Sequence, residues 1–143
     1  MFTRSYIKGL FTYPPRKEEG MNIIWKDAPE RALSDENRTT YLDWTGLDLT
    51  AYTSANAKFA LLQLNFRAQD AGTAYDSWLQ VRKNGTTPDY MPFICINNAE
   101  PDWSMRTLCP ILGLDADRRI QYRIDVATGA TVDSWIDVLG YVE

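Results

Sequence analysis

The sequence predicts an all-β protein: a two-sheet sandwich behind an extended N-terminal arm. Three observations predict it. In Ile120-Gln121-Tyr122-Arg123-Ile124-Asp125-Val126 the even positions are all apolar and the odd ones all polar, so one face of a strand belongs to a core and the other to water. Strand-sized runs recur along the chain, divided by turn signals such as Asn84-Gly85, Asp115-Ala116-Asp117-Arg118-Arg119 and Ala127-Thr128-Gly129-Ala130. No segment carries the apolar spacing of a long helix.

Residues 1–43 differ from the rest. Phe2, Tyr6, Ile7, Leu10, Phe11 and Tyr13 fit neither helix nor strand spacing, and Pro14-Pro15 forces an extended path. The short run Asn22-Ile23-Ile24-Trp25 reads as a strand embedded in this arm, and Pro29 through Asn37 as one short helix. The sandwich is then expected over residues 44–143. Trp44 to Tyr52 alternates Leu47 and Leu49 with Asp48 and Thr50. Lys58 to Gln69 places Ala60, Leu62, Leu64, Phe66 and Ala68 on one phase, while Phe59 and Leu61 open a second phase that turns polar at Gln63, Asn65 and Arg67. Ser77 to Lys83 ends at the Asn84-Gly85 turn. Tyr90 to Ile96 is almost wholly apolar, with Pro92 suiting the start or an edge. Thr107–Leu114, Ile120–Val126 and Val132–Val142 complete seven or eight strands. Long connections around 70–77, 84–90 and 97–106, with short ones near the C-terminus, suit a jelly roll. An immunoglobulin-like sandwich is the runner-up. The expected core includes Leu62, Leu64, Phe66, Val81, Ile120, Tyr122, Ile124, Ile136 and Val138.

Composition narrows the function. A chain of 143 residues suits one domain with a real core. With no histidine, Ser-His-Asp and Cys-His nucleophile systems are excluded in their usual form and a zinc site is disfavoured. No GxxxxGK[ST] or GxGxxG phosphate cradle occurs, and no carboxylate pair stands out among 19 acidic residues. The reading is therefore non-enzymatic: no catalytic residue, no cofactor and no metal. A net charge of −4 with no basic aromatic stripe argues against nucleic acid. No run reaches the roughly 20 apolar residues of a membrane helix. The start, Met1 to Lys8, lacks the apolar stretch of a signal peptide, so folding in a cytoplasm is expected.

Three features remain for surfaces. The last strand carries Asp133, Trp135, Asp137, Leu139, Tyr141 and Glu143 on its odd phase. A face with Trp135, Leu139 and Tyr141 between carboxylates is expected to be covered by protein. The arm carries Arg4, Lys8, Arg16 and Lys17 against Glu18 and Glu19, a net +2 over residues 1–20 against −6 for the remainder, which suits docking onto an acidic neighbour. Tyr75-Asp76-Ser77-Trp78 and Glu100-Pro101-Asp102-Trp103 pair rings with acids, as sugar-binding loops do. Tyr75, Trp78, Asp102 and Trp103 are thus candidate glycan contacts, and plugging the ends of the sandwich is the plainer alternative. Asp115-Ala116-Asp117 reads as a turn rather than a calcium loop. Cys95 and Cys109 read as buried free thiols, with a single disulfide between neighbouring strands as the alternative.

Val81-Arg82-Lys83-Asn84-Gly85-Thr86, then Ile120 to Asp125, and the closing Trp135-Ile136-Asp137-Val138-Leu139-Gly140-Tyr141-Val142-Glu143 resemble small β-sandwich structural proteins of tailed bacteriophages. The resemblance covers about residues 44–143. It implies a jelly roll that oligomerises on the virion as a capsid-decorating, head-fibre or tail-associated protein, with other copies and virion proteins as partners. The assembly interface expected from arm and last strand together is Phe2, Tyr6, Ile7, Leu10, Phe11, Tyr13, Trp135, Leu139 and Tyr141. The alternative function is a carbohydrate- or receptor-binding module.

Overall fold

The structure, a computed structural model, describes residues 20–69, 76–87, 91–97 and 102–143. These form nine strands: β1 (Ile23–Arg38), β2 (Leu42–Asp48), β3 (Phe59–Gln69), β4 (Asp76–Lys83), β5 (Phe93–Asn97), β6 (Ser104–Leu108), β7 (Ile111–Gly113), β8 (Arg119–Asp125) and β9 (Thr131–Val142). There is no helix among the described residues.

The pairing is nested and antiparallel throughout. β1 pairs with β9, β2 with β8, β3 with β6 and β7, and β4 with β5. First strand meets last, second meets next to last, so the chain forms one long antiparallel ribbon rolled on itself. Rolling yields a sheet ordered β1-β9-β3-β6, with β7 also on β3, and a sheet ordered β2-β8-β4-β5. That is a jelly roll. β6 and β7 are one strand broken in the middle. Leu108 pairs with Leu64 and Ile111 with Leu61 in unbroken register, but Pro110 has no N–H to give; its carbonyl still accepts from Leu62 at 3.0 Å.

The core lies between the inner faces. All nine residues expected there are buried, and Phe66, Leu62, Leu64 and Ile124 are wholly so, as is Leu79, which was not among them. Leu49, Ile94, Ile96 and Val132 join them. The helix expected over Pro29–Asn37 is instead part of β1. β9 is a central strand whose open edge needs a partner, and pairing of Arg31 with Asp137 and Leu33 with Ile136 supplies it. The first sheet accordingly begins at Ile23, not after residue 43. β1 follows β9 irregularly, with register shifts between Trp25 and Glu30, Arg31 and Leu33, and Asp35 and Arg38. Such bulges, with Pro29 and a Lys26–Glu30 ion pair at 3.0 Å, are the devices that keep an edge strand from pairing further.

One bulge decides which side chains face where. β9 runs in steady register with β3 from Thr131 to Val138, then shifts so that Leu61 faces Gly140. Leu139 is the extra residue, and the alternation reverses beyond it. Tyr141 thereby comes opposite Ala60 and packs against the core, while Trp135 stays outside. The expectation of a single outer face bearing Trp135, Leu139 and Tyr141 is corrected by this bulge, which period-two counting does not register.

Gly140 sits where β1 comes nearest. A methyl there would strike the Ile24 carbonyl oxygen and lie 3.2 Å from the Trp25 Cα. Both are backbone, so Gly140→Ala is expected to lever β1 from β9 and to destabilise the fold by about 1–3 kcal/mol. A urea titration reads this directly. An unchanged midpoint would mean that β1 can withdraw freely.

Candidate assembly surface

The outer face of the β1-β9-β3-β6 sheet divides into two zones. The first is polar and aromatic. Asp133 and Asp137 point outward but are 1% and 7% exposed. Arg67 from β3 pairs with Asp133, and Arg31 from β1 with Asp137. Asp133 also accepts the Asn37 N–H at 2.6 Å, and Asn65 links Asp137 (3.4 Å) to the Thr107 hydroxyl, which donates to it at 2.9 Å. The guanidiniums lie against indoles: Arg67 is 4.4 Å from the Trp103 ring and 5.3 Å from Trp135, and Arg31 is 5.8 Å from Trp135. Trp135 Nε1 donates to Glu36 at 3.0 Å. Trp103, just before β6, and Arg67, Trp135 and Arg31 on β3, β9 and β1 therefore form a ladder across the sheet.

This ladder explains the odd phase of β9. Trp135 is covered by two arginines of its own chain, and the carboxylates beside it are their counterions. Each cation–π contact at such an exposure contributes about 0.5–1 kcal/mol. Its partners are spent within the chain, so Trp135 offers little to a neighbour.

The second zone is apolar. Its cross-strand rows run Ile23–Val142–Phe59 and Trp25–Gly140–Leu61–Ile111. Ile23, Trp25, Phe59 and Ile111 are 53%, 65%, 39% and 64% exposed, whereas Leu61 and Val142 are 6%. Between Trp25 and Leu61 the β1 backbone at Ile24 and Trp25 closes over the bare Gly140. The zone is a shallow trough with the nearly buried Leu61 and Val142 as floor and the four exposed side chains as rim. It opens at its end into a concavity of about 320 Å³ lined by Gly20, Met21, Asn22, Lys58, Phe59, Val142 and Glu143. This surface was not read from these residues in the sequence. Its signal was the second phase of β3, where Phe59 and Leu61 precede Gln63.

The candidate ligand loops do not converge. Trp78 lies on the outer face of the other sheet, packed at a tilt against Phe93 with centroids 5.2 Å apart, while Trp103 caps the ladder on the first sheet. Asp102 is exposed just before β6, and Tyr75 lies outside the described residues. Phe2, Tyr6, Ile7, Leu10, Phe11 and Tyr13 also lie outside them. The second sheet's outer face holds Trp44 under Arg82 at 4.0 Å and Arg123 at 5.2 Å. The Trp44 backbone N–H and the Tyr41 hydroxyl both donate to Asp43 and hold its carboxyl below the usual range.

Asp115 is the turn former expected. Burial works to raise its carboxyl, but the Asn84 amide at 2.6 Å and the backbone N–H groups of Arg119 and Asp117 outweigh it and hold the group low. Cys95 and Cys109 are both free. Cys95 is half-buried on β5, where burial and Asp76 push its thiol up, and Cys109 is exposed beside Pro110, so neither is the fully buried thiol expected. Among the described residues no three His, Cys, Asp or Glu side chains gather as metal ligands.

No family model matches the chain, and no curated protein matches it. Among solved structures, the Tobacco streak virus coat protein is similar at 16% identity, over 82% of this chain and 86% of that one, with a TM-score of 0.37.

Proposed function

We propose that this chain is a non-enzymatic structural subunit of a virion, of the kind tailed bacteriophages use for capsid decoration, head fibres or tails, and that it acts by assembling with copies of itself and with other virion proteins. The observation that carries the reading is the apolar trough. Four large apolar side chains standing together on a strand-paired surface exceed what scattered exposure produces, and such patches mark contacts between proteins. The virion setting is supported by the resemblance of residues 81–86, 120–125 and 135–143 to phage sandwich proteins. The two indole loops diverge onto opposite sheets, which gives a single glycan pocket no support.

The test is the mass of the protein in solution across roughly 1–100 μM. The wild-type chain is expected to form a concentration-dependent oligomer. Trp25→Asp, on the exposed rim, is expected to shift it at least tenfold toward monomer while leaving the thermal midpoint in place. A chain that stays monomeric throughout that range would overturn the reading.

A further inference from the structure

We infer that the trough is the seat of an N-terminal segment, residues 1–19, donated by a second copy of this chain. The inference rests on the self-association proposed above and names the partner of that surface. Three observations lead to it. First, chemistry matches. The segment carries Phe2, Tyr6, Ile7, Leu10, Phe11 and Tyr13, apolar groups with no strand or helix period, and the trough is the apolar zone of the sheet from which the segment departs. Second, the chain leaves from that place. Asn22 and Glu143 still exchange backbone hydrogen bonds at 3.2 and 3.0 Å, and Gly20 to Asn22 line the concavity at the mouth of the trough.

Third, reach admits a neighbour. Traced backward, β1 runs along β9 to its final residues, where Gly20 and Met21 line the concavity beside Lys58 and Phe59. Nineteen residues kept extended span up to about 60 Å. The trough crosses four strands, about 15 Å. A neighbour's trough lies within that reach. Charge agrees, since residues 1–20 carry +2 and the remainder −6.

The experiment uses the full chain with Phe11→p-benzoylphenylalanine, mixed in equal parts with a heavy-isotope copy and irradiated. The expected product is a covalent dimer whose joined peptides pair residue 11 of one isotope with a segment holding Trp25, Phe59 or Ile111 of the other. Adding Ile111→Glu should cut its yield at least tenfold, with Ile111→Ser as the milder variant should the first fail to fold. Adducts joining light to light and heavy to heavy only would place the segment on its own body and overturn the inference. So would dimers joined elsewhere, or a yield indifferent to residue 111, although self-association itself would then stand. Absence of any oligomer in the mixture would overturn both.

Discussion

Truncating Phe66 to alanine is expected to lower the stability of the fold by about 3–5 kcal/mol, the largest effect of any single core substitution in this chain. Phe66 is wholly buried and, among the described residues, is the bulkiest side chain in that state. It lies on β3, which is hydrogen-bonded on both sides, to β9 and to β6, so the backbone around it cannot easily collapse into the space left. A cavity therefore adds its own cost to the lost transfer energy. The thermal midpoint should fall by roughly 10–15 °C for a chain of this length. A loss below about 1 kcal/mol would show that the two sheets close over the gap, and that the sandwich is looser than its burial implies.

Removing residues 1–19 is expected to abolish assembly while leaving the sandwich intact. Among the described residues the first backbone bond of the sheet is the one at Asn22, which the deletion leaves in place. Stability in urea should change by no more than about 0.5 kcal/mol, as for surface changes generally. The oligomer, by contrast, should vanish, and in the intact protein its association should weaken as salt is raised, because part of the attraction is between opposite net charges. Two results would contradict this. Unaltered assembly would make the segment dispensable, and a large loss of stability would make it part of its own domain's core.

The fold was legible in the sequence where alternation is strict. Ile120 to Val126 and Ala60 to Ala68 assign their own faces, and the turns at Asn84-Gly85 and Asp115 to Arg119 mark where strands end. The start of β1 was legible as the strand read at Asn22 to Trp25, but its continuation was not, because Lys26 to Arg38 is polar and bulged and its strand state comes from the edge of β9 rather than from its own residues. The ladder was half legible. Trp135 between Asp133 and Asp137 flagged an unusual face, but the arginines that answer it come from β1 and β3, at sequence separations of 106 and 66. Nothing local in β9 could name them. Tyr141 was misplaced for a similar reason: the extra residue at Leu139 is defined by register with β3.

The nested topology also has a consequence for timing. β9 emerges from the ribosome after every other strand, yet it stands in the middle of its sheet, between β1 and β3. Until it arrives, those two strands have no common partner, and Val142 is not there to line the trough. A nascent or prematurely terminated chain thus lacks the surface through which copies would join. Because a central strand is the last of the nine to be made, the first sheet and the apolar surface it carries close only once that strand has been added.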